Sequence, residues 1–379
     1  MSVALKKYKL GDLMDVTRGA SLTGEHYATE GDLVRLTLGN FDYDNCGFKE
    51  NTSKDNIYYT GDVNESFILN EGDVITPLTE QTPGLLGTTA RIPESGKYIQ
   101  SQDVALIKCN PDLLDQDFAY YLLPSKIVKE QLAARAQQTK IRHTSPDKIK
   151  DCTVFVPSVE EQKKIAKILR SIDDKIAINS SIIRILDGTA KDLFEYYFNN
   201  NLVSKNDWTA TTLGAVAEMY QPKTISTTEL NPEGRYRVYG ANGQIGYYNQ
   251  YNHVESEIAM ACRGNSCGVM NRTMPYSWIT GNAMVIKPKD KSIHNEFLAQ
   301  LLKYANIDGV ISGSGQPQLT RESLNMVTLL WPPMDIIRQY SEAVKPIIET
   351  ILMKKEATDK LKATKHRIIP LIMSGQIAL

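Results

Sequence analysis

The chain repeats itself, and that repetition limits the fold more than any single motif does. Tyr8-Lys9-Leu10-Gly11-Asp12-Leu13 returns near position 208 as Trp208-Thr209-Ala210-Thr211-Thr212-Leu213-Gly214. A strand-like stretch and a helical one, Gln102 to Lys108 then Asp117 to Leu123, come back as Gly281 to Lys287 then Glu296 to Leu302. Each pair is followed by a polar loop, Gln138 to Ser145 or Gly315 to Thr320. Next comes a β-branched or apolar segment ending in proline, Thr153-Val154-Phe155-Val156-Pro157 or Thr328-Leu329-Leu330-Trp331-Pro332. The order is the same in both halves, so the chain reads as a tandem pair of related modules.

After each proline the apolar period changes from two to a heptad. Ile165, Leu169, Ile172, Ile176, Asn179, Ile183, Leu186, Ala190, Leu193 and Tyr197 are spaced alternately by four and three, the stripe a helix needs to pack along another helix. Ser158 with Glu161 forms a capping-box start, and Asn199-Asn200-Asn201 a stop. At ~1.5 Å per residue this helix reaches about 60 Å. A second helix from about Met334 opens on the same rhythm with Ile337, Tyr340, Val344, Ile347 and Ile351, then weakens through Lys354 and Thr358. Pro346 is expected to kink it and Pro370 to end it. Two such seams pair most simply with each other, antiparallel, with Asn179 as the single polar core residue fixing helix register. The alternative packs each helix on its own half. The fold class expected is α+β: two pseudo-symmetric domains, 1–157 and 201–332, separated by two long antiparallel coiled-coil helices, 158–200 and 333–379.

Lys plus Arg (43) balance Asp plus Glu (44), so any contact with nucleic acid has to rest on local patches, not bulk charge. No apolar run approaches the ~18 residues of a membrane span, and Met1-Ser2-Val3-Ala4-Leu5-Lys6 opens no signal peptide. A cytoplasmic chain without membrane contact is expected. The five cysteines are odd in number and irregular in spacing, as free thiols are. Cys262 and Cys267 near His253 hint at zinc, but a structural site needs four ligands and no second close pair exists, so no metal is expected.

A catalytic reading finds little support. The chain carries no GxGxxG after a strand, no GxxxxGK[ST] loop, no GxSxG elbow and no HExxH helix. Asn231-Pro232-Glu233-Gly234 lacks the second proline and the aromatic of a methyltransferase motif, and Ser145-Pro146-Asp147-Lys148 reads better as a helix start than as a nuclease cluster. No catalytic residue is expected. A binding reading does better. From Lys126 to Lys150 there are seven Lys or Arg against Glu130 and Asp147, which suits either a phosphate track or a solvated helix face. Within this stretch Lys140, Arg142 and His143 share a loop with amides, the side-chain types that hydrogen-bond base edges. Gln316, Gln318 and Arg321 occupy the matching loop of the second half. Upstream, also at matching places, lie Gln81, Thr88 and Arg91 in one loop and Arg263 and Asn265 in the other. Plain turn chemistry is the competing account for each. These eleven residues are the candidate DNA-binding set.

The combination resembles the specificity (S) subunit of type I restriction-modification enzymes, the HsdS family. The likeness rests on Tyr8 to Leu13, on the junction Val154 to Leu169, on Leu193-Phe194-Glu195-Tyr196-Tyr197-Phe198 before Trp208, and on Ile369 to Ile377. Its most specific phrase is Pro157 followed by Glu160-Glu161-Gln162. The second copy departs, since Pro332-Pro333-Met334-Asp335-Ile336-Ile337-Arg338-Gln339 keeps only the prolines and one Gln. The resemblance implies two target-recognition domains, each reading one half of a bipartite, asymmetric site in double-stranded DNA, held at a fixed gap by the helices. It implies a non-catalytic subunit of a bacterial restriction system that docks two methyltransferase (M) subunits and, through them, restriction (R) subunits. No cofactor is expected in this chain, with S-adenosylmethionine, ATP and Mg belonging to the partners. The rival readings are a self-contained DNA methyltransferase or nuclease fusion and a protein-binding adaptor.

Overall fold

The computed structural model describes residues 4–43, 45–82, 84–135, 142–199, 207–313 and 315–377. The chain divides into two compact units, Met1–Ile176 with Asp359–Leu379, and Ala177–Thr358. The two long helices, Val159–Phe198 and Met334–Met373, have 40 residues each, and each gives one segment to each unit.

In the first unit, the strand Lys6–Lys9 pairs antiparallel with Thr153–Val156, which ties the chain start to the segment just before the first long helix. The short helix Leu10–Leu13 then feeds a four-stranded sheet, in the order Ala90–Arg91, Val74–Pro77, Val104–Cys109, Met14–Arg18. The alternation of apolar side chains in these strands puts Val16, Val74 and Ile107 on one face. There they meet Phe118 and Leu122 of the helix Gln116–Leu122 and Leu132 of the helix Lys126–Arg135. The same core takes Ile165 and Leu169 near the start of the first long helix and Ile372 and Met373 near the end of the second. Start therefore meets end, and the helix segments of this unit run antiparallel. Asp173 of the first helix closes the contact, accepting from Lys365 Nζ of the second at 2.6 Å and from the Tyr121 hydroxyl at 2.8 Å.

The second unit repeats the plan. Thr209–Thr212 pairs with Thr328–Trp331, the short helix Leu213–Val216 follows, and a sheet runs in the order Met270–Arg272, Ile258–Ala261, Ala283–Pro288, Ala217–Tyr220. The helix Asn295–Leu302 covers it with Phe297 and Leu298. Ala190, Phe194 and Phe198 from the first long helix pack here with Ile337, Tyr340 and Val344 from the second, again start against end. Phe194, Phe198, Phe297 and Tyr340 form one aromatic cluster with ring centroids 4.8 to 6.2 Å apart. The Arg272 guanidinium is buried between Glu296, at 2.7 Å, and Asp187 of the first long helix, at 3.0 Å. The first unit also has the helix Lys126–Arg135, and each unit carries a further small sheet: Tyr98–Ile99, Val34–Arg35, Tyr58–Tyr59 and Tyr27–Ala28 in the first, and in the second the hairpin of Tyr236–Gly240 with Gly243–Tyr248, beside Trp278–Ile279.

Two expectations for the helices change. Asn179 is buried, but it is not the single polar group on the seam, because Gln162, Ser341 and Thr358 are buried too. Two of these have a clear purpose. Gln162 Oε1 accepts from the backbone N–H of Asp115 at 2.8 Å, while its Nε2 donates to the carbonyls of Leu113 and Pro157. Asp115 caps the helix Gln116–Leu122, so this glutamine anchors that helix start to the long helix. In the second unit Ile337 takes the equivalent place, and Ser341 Oγ accepts instead from the N–H of His294, the cap of Asn295–Leu302, at 3.0 Å. The departure of the second copy from Glu-Glu-Gln is thus met by a different residue doing the same job. The second long helix also continues through Pro346 and past Pro370 to Met373. A proline removes one helical bond, and burial of Ile348, Ile351, Ile372 and Met373 outweighs that loss. The stop is Gly375, at φ 70°, with the N–H of Gln376 returning to the Leu371 carbonyl. The proposed stop at 199–201 falls largely outside the described residues.

Removing Gln162 strands three backbone groups, the Pro157 carbonyl buried and those of Leu113 and Asp115 partly so. Gln162→Ala is expected to cost ~2–4 kcal/mol and Ser341→Ala ~1–2 kcal/mol, with faster amide exchange confined to the first and second unit respectively. His253, buried in the second unit, gives a pH prediction. Asn252 is oriented by both backbone groups of Ile279, so its Oδ1 accepts from His253 Nδ1 at 2.6 Å, and Nε2 accepts from the Tyr220 hydroxyl at 2.9 Å. Burial, then the nearby Lys287 charge, push the imidazole down to about 4. The unfolded chain takes up the proton first as pH falls. Stability is therefore full above ~6.5 and drops by ~3 kcal/mol between ~6.5 and about 4. Denaturant titrations across that range should show the loss, and His253→Gln should flatten it.

Candidate nucleic-acid interface

In each unit the loop that follows one central strand is stitched to the loop that precedes a short helix. In the second unit Ile258–Ala261 leads into residues 262–269. There the Cys262 carbonyl accepts from Leu319 N–H at 3.0 Å and Gly264 N–H donates to the Pro317 carbonyl at 2.9 Å, placing Arg263 opposite Gln318. Ser312 and Gln318 exchange both backbone bonds, at 2.9 and 2.8 Å, so the chain returns on itself at this pair. Gly313 permits that closure: its φ is 88°, and an added Cβ would sit 2.6 Å from the Gln316 carbonyl. Thr320 then caps the helix Arg321–Asn325. The result brings Arg263, Asn265, Gln316, Gln318 and Arg321 together on one stitched pair of loops, all exposed. Among the described residues neither Arg263 nor Arg321 has a carboxylate within ion-pair distance. Two guanidinium groups beside three amides offer charge for phosphate and paired donors and acceptors for base edges.

The first unit builds the same stitch with different contents. Thr79 stands opposite His143 and Glu80 opposite Arg142, and Thr144 N–H donates to the Leu78 carbonyl at 2.8 Å. Thr79 thus holds the position of Arg263, and His143 that of Gln318. Glu80 is the organiser. Its buried Oε2 accepts from the N–H groups of Leu85 and Leu86 at 2.7 and 3.0 Å, and its Oε1 lies 3.4 Å from Arg142. Lys129 adds a bond to the Gly84 carbonyl at 3.1 Å. Gln81 is exposed at the rim of a cleft of about 520 Å³ that Tyr27, Arg35, Asn51 and Lys54 also line. Arg35 stacks on Tyr27 at 3.8 Å from the ring centre.

The structure treats the candidates of the first unit unequally. Gln81 and His143 are exposed. Arg142 is available only in part, because Glu80 holds it. Thr88 is fully buried, with its carbonyl taken by Thr76 Oγ1, so it offers no surface to a ligand. Arg91 lies over the Tyr120 ring and is paired with Asp117, which Arg170 also contacts at 2.9 Å. Burial works against the Asp117 charge, but the two arginines hold its carboxyl below the usual carboxylate range. Arg91 is thus a structural cation, and the expectation of base contact fails for it. Lys140 lies outside the described residues. The basic stretch is also largely spent internally: Arg135 pairs with Asp151 at 2.7 Å, Lys150 with Asp15 at 3.5 Å and Lys126 with Glu130 at 3.7 Å. Sequence reasoning missed Glu80, Arg35 and Lys54. A carboxylate set between turn residues in Thr79-Glu80-Gln81-Thr82 was the one available signal for the first of them.

The family model described as Type I restriction modification DNA specificity domain matches residues 3–186 and 205–363. The MjaVIII specificity subunit of a type I restriction enzyme from Methanocaldococcus jannaschii is 20% identical over 352 residues, covering 83% of this chain and 81% of that protein. The MjaIX specificity subunit from the same organism is 21% identical over 299 residues, 69% of each chain. A crystal structure of the type I restriction-modification system S subunit from M. genitalium shares the fold, with a TM-score of 0.68 at 18% identity over 98% of this chain and 96% of that one. Among the described residues no helix is long and apolar enough to cross a membrane. The role of Glu80 is directly testable. Charge-assisted bonds are roughly twice as strong as neutral ones, so Glu80→Gln should speed amide exchange at Leu85 and Leu86 by about tenfold and leave the second unit unchanged.

Proposed function

The chain belongs to the family of type I restriction-modification DNA specificity subunits, and on that premise we propose that its two units are separate readers of one bipartite, asymmetric DNA site. The observation that carries this is the duplicated stitch. The same backbone frame presents Arg263 and Gln318 in one unit and Thr79 and His143 in the other. One frame with two sets of side chains suits two half-sites of different sequence. Arg263, Asn265, Gln316, Gln318 and Arg321 are the readers of one half, and Gln81, Arg142 and His143 those of the other.

The chain acts in this reading as a non-catalytic subunit. Methyl transfer from S-adenosylmethionine belongs to two docked methyltransferase subunits, and ATP-driven cleavage to restriction subunits held through them. What supports this is the make-up of the stitched loops, whose amides and guanidinium groups suit recognition. Turnover by the purified chain alone would favour a self-contained enzyme. Binding without a steep salt dependence would favour a protein adaptor.

Mapping methylated adenines in host DNA, with the chain co-expressed with its methyltransferase partner, tests the scheme. Arg263→Ala or Gln318→Ala should relax bases in one half-site only, with a loss of ~1–3 kcal/mol per bidentate contact. Relaxation in both halves would contradict the two-reader scheme.

A further inference from the structure

We propose that the hairpin of the second unit, Tyr236–Gly240 with Gly243–Tyr248, is an additional DNA-reading ribbon, with Asn242, Gln244 and Ile245 as its contact residues. This inference rests on the DNA-reading function proposed above and extends it to a segment outside the stitched loops.

The hairpin breaks its own alternation at one place. Val238 stands opposite Gly246 and Tyr239 opposite Gln244, so the pairing skips Ile245. In a regular strand consecutive side chains point to opposite faces, whereas a bulge re-aims one of them. Gln244 and Ile245 are accordingly both exposed, the isoleucine by 42%, and Asn242 at the turn is exposed as well. Among the described residues no side-chain hydrogen bond occupies the amide of Asn242 or Gln244. An exposed isoleucine beside two free amides is an unusual choice for a merely solvated edge, and it suits a groove. Asn and Gln pair with adenine through two bonds, and an apolar group meets the thymine methyl.

Position points the same way. Gly243–Tyr248 is the outer strand of its sheet, whose order continues through Tyr236–Gly240 to Trp278–Ile279. As the outer strand of this three-stranded sheet, it presents the edge and the turn that can approach a groove. The turn is fixed where it can serve. Gly243 has φ 84°, and an added Cβ there would lie 3.2 Å from Asn271 Oδ1. Asn271 sits opposite Ala259, in the strand that leaves the 262–269 loop. The hairpin turn therefore rests on the strand that continues from Arg263 and Asn265. Both elements belong to one sheet-supported unit.

The test uses the full chain assembled with its methyltransferase partner and a library of randomised DNA duplexes, sequenced after selection. The wild type should enrich a bipartite motif, and Arg263→Ala identifies the half read by this unit. With Asn242→Ala and Gln244→Ala combined, base preference at one or two further positions of that same half should fall by about 5- to 100-fold, the other half staying intact. A motif identical to the wild type at every position, or an equal weakening of both halves, overturns the proposal and leaves the two-reader scheme standing. Failure of the wild type to enrich any motif overturns that scheme instead. Gln244→Glu keeps the size of the side chain. It carries the same two outcomes should the double variant not assemble.

Discussion

Each compact unit has a hydrophobic core that is incomplete without a segment of both long helices. In the first, Ile165 and Leu169 meet Ile372 and Met373, and in the second, Phe194 and Phe198 meet Ile337 and Tyr340. A polar clamp accompanies each contact: Asp173 with Lys365 and Tyr121, and Asp187 with Arg272 and Glu296. The first core therefore closes only when the start of one long helix and the end of the other are both in place, whereas the second is built from the continuous stretch between them. This requirement ties each unit to both long helices. It also explains why buried polar residues such as Gln162 and Ser341 sit on the helix seams, since each pins the start of a covering helix to the strut beside it.

The stitched loops depend on that support. Their shape comes from backbone pairing between two segments far apart in sequence, Thr79 with His143 and Arg263 with Gln318, with Leu78, Cys262 and Leu319 anchored in the cores beneath. Conformations set by backbone bonds leave the outward side chains replaceable. A duplicated frame can in this way hold different chemistry in its two copies. The copies differ in electrostatics too. In the first unit Arg91, Arg135 and Arg142 answer carboxylates within the protein, whereas Arg263 and Arg321 are not so engaged among the described residues.

The architecture was legible because repetition and heptad spacing are properties of composition along the chain, independent of long-range contacts. The order of elements and the seam residues Ile165, Leu169, Ile337, Tyr340 and Val344 could be read directly. What could not be read were the fates of individual polar residues. Thr88 and Gln81 look alike in a Gly- and Thr-rich loop, yet one is fully buried and the other faces solvent. Arg91 is indistinguishable from Arg263 until Asp117 and Tyr120 are folded beside it. Glu80 becomes an organiser only when two amides five and six residues away turn back to it. The ends of the second helix misled for a similar reason, since tertiary burial carries it beyond Pro370 and a glycine stops it.

The central claim is that two copies of one frame touch DNA separately. Hydroxyl-radical footprinting of the assembled complex on a duplex bearing its own site tests this most directly. Two clusters of protected sugars with an unprotected gap between them are predicted. A single unbroken footprint, or uniform protection along the duplex, would contradict it.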